Sequence, residues 1–253
     1  MTKQLIISTL LLLSWFSLRA DLQEAASRFE QGNAAYAEGN FEEAIAHYEA
    51  AAEEGTSLAL HFNLGNAYFK TNQVAMAILN YERAFRIDPA DTDVKYNLKL
   101  ANERIKDRIE ELPQLNITRW WKSFTIGTGI DTWAWLAVGC MMLALASWLL
   151  FFLANHRGLR IAGFYIALFM LLLAGISYYQ AGHAKRLVAE QTEAVVITPR
   201  VDVKGSPTET GINVFVIHEG TKLRVLQEQD GWVNVRIASG NEGWMRKSDV
   251  IVI

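Results

Sequence analysis

The hydrophobic and polar positions of the chain follow three different patterns. Between residues 21 and 112, apolar side chains recur every three to four positions within a polar sequence, which is the spacing of a helix with one buried face. Two later stretches, 133–153 and 161–182, contain no charged residue. From residue 188 to 253, short β-branched runs are separated by turn residues. The pattern therefore predicts a multi-domain chain: a helical part, two apolar helices and a small all-β part.

The two uncharged stretches are long enough to cross a membrane. As helices they would each span about 32 Å, and the hydrocarbon core of a bilayer is about 30 Å thick. Residues 154–160 between them leave room only for a turn. A buried hairpin of a soluble domain is the alternative, but little else in the chain could cover so much apolar surface. We therefore expect a transmembrane helical hairpin at 133–153 and 161–182, preceded by a tryptophan-rich juxtamembrane linker at 113–132.

The first 20 residues, 1–20, predict a signal peptide. Lys3 precedes an uncharged, mainly apolar run at 5–18, which would be only about 21 Å long as a helix and so falls short of a bilayer. Cleavage is expected after Ala20. The alternative is a buried amphipathic helix, which the lack of a polar face disfavours. Export would place the next segment outside the cytoplasm, and two later spans would return the chain to that side.

The charges around the hairpin bear on its orientation. Arg157 and Arg160 favour a cytoplasmic turn at 154–160, because positively charged loops tend to stay inside. The other ends of the two apolar stretches also carry basic residues, which reduces the difference in positive charge between the two sides of the membrane. These residues are Arg119, Lys122, Lys185 and Arg186. The export signal decides between the two orientations. We therefore expect a two-pass protein whose helical and β parts both lie outside the cytoplasm.

The helical part contains two copies of one pattern, about 33 residues apart. Gly32-Asn33-Ala34 recurs as Gly65-Asn66-Ala67, and Tyr48-Glu49 recurs as Tyr81-Glu82. Small and aromatic residues at such fixed offsets are typical of paired antiparallel helices that pack closely. The segment resembles the tetratricopeptide repeat family. The resemblance implies a helical solenoid at 21–112, with copies at 25–57 and 58–91 and a capping helix at 92–112.

That resemblance also implies a protein-binding groove lined by the first helix of each pair. Asparagine amides can hold a peptide backbone there, and aromatic rings can bury its side chains. By position, the candidate groove residues are Phe29, Asn33, Tyr36, Phe62, Asn66, Phe69, Lys70 and Tyr96. The alternative is that the asparagines are ordinary repeat residues and that the aromatic rings pack within or between the repeats.

Residues 188–253 are expected to form a small antiparallel barrel. Five or six short strands fit between turns such as Asp230-Gly231 and Ser239-Gly240-Asn241. The pairs Gly231-Trp232 and Gly243-Trp244 resemble those of a bacterial SH3 domain. The resemblance implies an SH3-like ligand groove at Trp232 and Trp244. The alternative is that these rings anchor a small core.

The order of the segments resembles the BatE proteins of bacterial aerotolerance operons. The stretches Thr118-Arg-Trp-Trp-Lys122 and Asp131-Thr-Trp-Ala134 add to this resemblance. It implies a non-catalytic scaffold in the bacterial inner (cytoplasmic) membrane, with both soluble domains facing the periplasm. The implied partners are other membrane proteins of the same operon, which carry von Willebrand A domains. A peptidoglycan-binding role of the SH3-like domain is the alternative function.

Composition, charge and the absence of catalytic motifs argue against several classes of function. The net charge of -3 offers no general attraction to nucleic acid, and nine acidic groups against the lone Arg28 in residues 21–57 account for the excess. The single cysteine, Cys140, lies in the first apolar stretch, so no intrachain disulfide is expected. The five histidines are scattered, and no phosphate-binding loop, zinc-protease or serine-hydrolase motif is present. We therefore expect no enzyme, no metal site and no cofactor.

Overall fold

The computed structural model describes residues 23–109, 116–189 and 192–253. The predicted signal peptide at 1–20 lies outside these residues. The described chain forms two compact units. The first contains the repeat region and the β domain, residues 23–87, 91–109 and 192–253, and the second contains residues 88–90 and 116–189.

Five helices make up the described repeat region. They are α1 (23–37), α2 (Phe41–Glu54), α3 (Leu58–Lys70), α4 (Val74–Ile87) and α5 (Thr92–Asn102). α3 begins where the Ser57 hydroxyl accepts a hydrogen bond from Leu60 N at 3.1 Å. α5 begins where the Asp91 carboxylate accepts from Asp93 N and Val94 N. α5 ends well before residue 112, because residues 103–109 follow it without helix.

The two copies of the repeat are built by the same contact. Tyr48 and Tyr81 are each 1% exposed, and each ring lies against a glycine of the preceding helix. A Cβ atom on Gly32 would lie 2.5 Å from Tyr48 Cε1, and one on Gly65 would lie 2.6 Å from Tyr81 Cε1. Only glycine leaves room for a ring at that distance, which explains why glycine and tyrosine recur together in the sequence.

A buried histidine joins α3 to α4. His61 is 7% exposed; its Nδ1 lies 3.1 Å from Asn80 Oδ1 and its Nε2 lies 2.8 Å from Thr56 Oγ1. A neutral imidazole satisfies both contacts, with Nδ1 donating to the amide oxygen and Nε2 accepting from the hydroxyl. Burial lowers the pKa of His61 because it disfavours the imidazolium form. The repeat region therefore holds this side chain neutral.

The second unit contains three described helices, α6 (Asn116–Gly127), α7 (Ile130–Leu153) and α8 (Arg157–Ala189). α6 lies where the sequence predicts a linker. α7 and α8 pack along each other through small buried side chains, among them Cys140, Ala144 and Ala167. The two helices come close together at Gly163, where a Cβ atom would lie 2.8 Å from the backbone oxygen of Ser147. Cys140 is a buried packing residue of this pair.

α7 and α8 are long and apolar enough to cross a membrane, judged by length and composition. Only 11% and 17% of their most apolar 18-residue stretches are buried within the structure. A core helix of a soluble protein would instead be mostly covered by other parts of the chain. The exposed apolar surface therefore favours the transmembrane interpretation.

Residues 192–253 form one antiparallel sheet of seven strands, in the order β3-β2-β6-β5-β4-β1-β7. The strands are β1 (Glu193–Val196), β2 (Arg200–Lys204), β3 (Asn213–His218), β4 (Lys222–Gln229), β5 (Trp232–Ile237), β6 (Glu242–Arg246) and β7 (Val250–Val252). Residues alternate across the sheet; in β5, Val233 and Val235 are buried in its core while Arg236 is exposed. The predicted fold class is confirmed, since the structure contains helical repeats, two long apolar helices and a small β domain.

Candidate functional site

The first helices of successive repeats lie side by side, on the surface where the sequence predicts a groove. Asn63 Nδ2 of α3 donates a hydrogen bond to Asn33 Oδ1 of α1 at 3.0 Å. Asn97 Nδ2 of α5 donates to Asn66 Oδ1 of α3 at 2.8 Å. These two hydrogen bonds are equivalent contacts in consecutive repeats. The surface of α1, α3 and α5 that carries the four amides is called the groove face below.

The two predicted asparagines also anchor the second helix of their own repeat. Tyr48 Oη donates to Asn33 Oδ1 at 2.9 Å, and Tyr81 Oη donates to Asn66 Oδ1 at 2.7 Å. Burial raises the pKa of Tyr48 to about 12 and also raises the pKa of Tyr81, so both hydroxyls remain protonated donors. Each amide oxygen therefore accepts two internal hydrogen bonds, which is its full capacity.

The amide nitrogens of the two asparagines differ. Asn33 Nδ2 lies 3.5 Å from Glu30 Oε2. Asn66 Nδ2 has no acceptor among the residues that the structure describes, and Asn66 is only partly buried. Asn66 can therefore donate up to two hydrogen bonds to a ligand, but its oxygen has no remaining capacity to accept one.

Two of the predicted aromatic residues pack inside their own repeats. The ring centroids of Phe29 and Tyr48 are 5.8 Å apart, and those of Phe62 and Tyr81 are 6.1 Å apart. Both phenylalanines are partly buried against the core of the repeat region. Such aromatic pairs contribute about 0.5–1.5 kcal/mol beyond the area that they bury. The contacts of Phe29 and Phe62 thus agree with the packing alternative.

The remaining predicted side chains are more accessible, in different degrees. Tyr36 meets Phe41 edge-on, with ring centroids 5.2 Å apart. Phe69 lies beneath the guanidinium of Arg104, 4.1 Å from its ring centroid. Lys70 is exposed, and Tyr96 is 67% exposed. Lys70 and Tyr96 are therefore the two predicted groove residues that present most of their surface to a ligand.

The structure adds three residues to this surface that the sequence analysis does not name. Asn63 and Asn97 join the helices of the groove face, and Arg104 covers Phe69. Asn63 and Asn97 occupy equivalent places in consecutive copies, so a full alignment of the repeats could have identified them. Arg104 lies beyond the end of α5, where no repeat pattern remains to indicate its position.

The two predicted tryptophans of the β domain lie on one face of the sheet. Trp232 pairs with Arg246 and Trp244 pairs with Asn234 on the neighbouring strands β5 and β6, which makes the two rings diagonal neighbours. Trp232 is only 6% exposed, and the Arg246 guanidinium lies 4.5 Å from its ring centroid. Trp244 is partly buried. The Trp232 ring is therefore a covered platform in this structure.

Asn234 lies between the two tryptophans on the same face of the sheet. Its Oδ1 is buried and has no hydrogen-bond donor among the described residues. An unpaired buried amide oxygen costs about 1–3 kcal/mol, so a donor that reaches it would be stabilised there. Across residues 23–109, 116–189 and 192–253, no three His, Cys, Asp or Glu side chains are grouped closely enough to hold a metal ion.

Comparison with known families identifies the class of the helical part. Residues 17–59 and 29–92 match the model of the tetratricopeptide repeat family. Arrays of this class use their extended concave surfaces to bind other proteins, which indicates a protein-interaction role for the repeat region. The match leaves the hairpin and the β domain unassigned. Comparison with the curated proteins finds no match.

Proposed function

We propose that the chain is a non-catalytic, membrane-anchored scaffold whose groove face binds an extended segment of a partner protein. One observation carries the proposal: α3 and α5 offer an unpaired amide donor, an exposed ammonium and an exposed aromatic ring, at Asn66, Lys70 and Tyr96. An extended peptide presents the complementary groups, namely backbone carbonyls, carboxylates and apolar side chains.

The test is capture of the partner by the full chain from intact membranes after crosslinking. Tyr96→Ala combined with Lys70→Glu should abolish capture, because it removes the aromatic ring and the ammonium that the groove face offers to the partner. Both side chains are exposed, so the fold does not depend on them. Asn66→Ala is unsuitable as the first variant, since Asn66 also holds Tyr81 and Asn97. Lys247→Glu, an exposed charge reversal in the β domain, serves as the matched control. Retained capture by the double variant would show that the groove face does not bind the partner.

The partner class follows from the BatE resemblance. We propose that the bound proteins are membrane proteins with von Willebrand A domains, as in aerotolerance operons. The acidic region 21–57 gives such a partner negative charge to match, and the exposed Lys70 offers one positive charge. Mixing the full chain with the soluble von Willebrand A domain of a neighbouring operon protein tests this. No binding at micromolar concentration would remove that partner class and leave the scaffold proposal intact.

The proposed orientation has both soluble parts in the periplasm and the turn at 154–160 in the cytoplasm. Support comes from the leader-like first 20 residues and from Arg157 and Arg160 in the turn. Support also comes from the fold, because the repeat region and the β domain belong to one compact unit although the hairpin separates them in sequence. Two segments that share one unit have to lie on the same side of a membrane.

Labelling with a membrane-impermeant maleimide tests this orientation. The background variant is Cys140→Ala, which removes the single native thiol. In that background Asn241→Cys in the β domain should be labelled from outside the cell, and Gly158→Cys in the turn should be labelled only after the membrane is opened. The reverse pattern would overturn the proposed topology.

The alternative function, binding of peptidoglycan by an SH3-like β domain, is favoured by one observation. The Asn234 oxygen is buried without a donor between Trp232 and Trp244, and sugar hydroxyls and peptide amides are suitable donors. Co-sedimentation of the full chain with purified sacculi tests it, with Trp244→Ala as the variant that should lose binding. If the unchanged chain does not sediment, the alternative is wrong.

A further inference from the structure

We infer that the β domain is the cap of the repeat array and takes the place of a second helix that the third repeat lacks. Among the residues that the structure describes, the first two copies each contain two helices, whereas in the third copy the non-helical residues 103–109 follow α5. An array that stops after a first helix leaves the apolar face of its last repeat uncovered.

The sequence of the third copy agrees with the absence of that helix. Asn63 and Asn97 make equivalent hydrogen bonds, so they align the second copy with α5. In this alignment Lys99 takes the place of Gly65, and Leu100 takes the place of Asn66. Lysine leaves no room for a tyrosine ring, and leucine cannot accept the hydroxyl of one. α5 therefore cannot hold a second helix in the way that the first two copies do.

Apolar residues of the β domain belong to the core of the repeat region. Val195 of β1 and Ile78 of α4 are both fully buried in one cluster, and Ile251 and Ile253 pack against it. The turn before β4 comes equally close. A Cβ atom on Gly220 would overlap Ile105 and would lie 3.2 Å from Ile78 Cδ1. The two parts share a continuous core.

A partly buried ion cluster joins the two parts at the same place. Lys222 Nζ of β4 lies 2.8 Å from Glu82 Oε2 of α4 and 2.8 Å from Glu193 Oε2 of β1. Glu82 is only 5% exposed. Burial alone would lower the pKa of Lys222, but the two carboxylates raise it, so the ammonium remains charged. Removal of Lys222 leaves the carboxylate of Glu82 as an uncompensated buried charge.

Asp107 makes a second polar contact from the segment that replaces the absent helix. Its carboxylate accepts hydrogen bonds from His218 N at 2.6 Å, from His218 Nδ1 at 2.7 Å and from Thr221 Oγ1 at 2.8 Å. Burial acts to raise the pKa of Asp107, but these hydrogen bonds lower it below its usual value. The turn between β3 and β4 is thus held on the chain just after α5.

Charge reversal in the full chain, purified in detergent, tests the inference. Lys222→Glu and Glu82→Lys should each speed amide hydrogen exchange about 100-fold in both the repeat helices and the β domain, as expected when an ion pair with one buried member is broken. The double variant Glu82→Lys with Lys222→Glu restores an ion pair between α4 and β4 but places a second carboxylate beside Glu193, so it should restore part of the protection. Lys247→Glu, which breaks an exposed ion pair with Glu228, should change neither part.

A milder variant distinguishes loss of the contact between the two parts from misfolding of the β domain. Asp107→Asn changes only the repeat side of the contact, and it should speed exchange in β3 and β4 as well as in α4 and α5. If Lys222→Glu leaves the repeat helices as protected as before, or if Asp107→Asn leaves β3 and β4 unchanged, the β domain is an independent module and the inference is wrong.

Discussion

Replacement of Gly65 by alanine tests the contact that builds each repeat. The new Cβ atom would lie 2.6 Å from Tyr81 Cε1 and 2.7 Å from Tyr81 Cδ1, whereas carbon atoms prefer about 3.5–4.0 Å. The ring has little room to move, since Tyr81 is 1% exposed, and movement would strain its 2.7 Å hydrogen bond to Asn66. Overpacking costs about 2 kcal/mol and a weakened hydrogen bond about 1 kcal/mol, while the better helix propensity of alanine returns about 1 kcal/mol. We therefore expect Gly65→Ala to lower the free energy of unfolding of the repeat region by about 2 kcal/mol.

Amide hydrogen exchange in the full chain measures this loss where it occurs. A loss of about 2 kcal/mol should speed exchange in α3 and α4 about 30-fold. Gly55→Ala is the matched control, because Gly55 has extended backbone and a Cβ atom there would meet nothing within 4 Å. That variant should exchange no faster than the unchanged chain. If Gly65→Ala behaves like Gly55→Ala, the tyrosine ring does not require glycine, and the packing argument for both copies fails.

Three further predictions follow from other contacts. His61 is held neutral and its pKa is lowered in the folded chain, so its contribution to stability is complete above the usual histidine pKa of about 6.5 and is lost as the pH falls below that value. Amide hydrogen exchange in α3, corrected for the chemical exchange rate, should therefore speed up from pH 7 to pH 5. His61→Gln should remove that pH dependence. Gly163→Leu should lower the temperature at which the chain aggregates in detergent, because α7 leaves no room for the side chain, whereas Gly175→Leu, which faces open space, should not. Asn66→Ala should destabilise α3 and α4 by about 1–3 kcal/mol in exchange measurements, whereas the exposed Tyr96 should tolerate alanine.

Features that repeat or that depend on composition could be predicted from the sequence. The spacing of Gly32 to Tyr48 and of Gly65 to Tyr81 is the same, and each pair makes the same contact. The uncharged stretches predict α7 and α8 because length and hydrophobicity alone decide whether a helix suits a bilayer. α6 and the early end of α5 could not be predicted in this way, since both lie where the repeat pattern has stopped.

The groove residues show where position along a repeat is insufficient. Asn33 and Asn66 stand at the predicted places, but their oxygens are occupied by Tyr48, Tyr81 and neighbouring amides. Whether an amide at such a place faces a ligand or its own fold depends on the side chains that the next helix brings to it. The exposed Lys70 and Tyr96 remain the strongest candidates for contact with a partner.

The sequence predicts the classes of structure in this protein: helix pairs from a repeated spacing, two spanning helices from uncharged length, and strands from alternation. Each of these is a local property, readable within a few tens of residues. The packing of the β domain onto the repeat array is not predictable in this way, because it depends on contacts between distant parts of the chain. Lys222 and Glu82 are 140 residues apart with the hairpin between them, and no local pattern indicates that two such charges will meet. Their contact depends on the whole chain having folded back, which makes the repeat region and the β domain one unit.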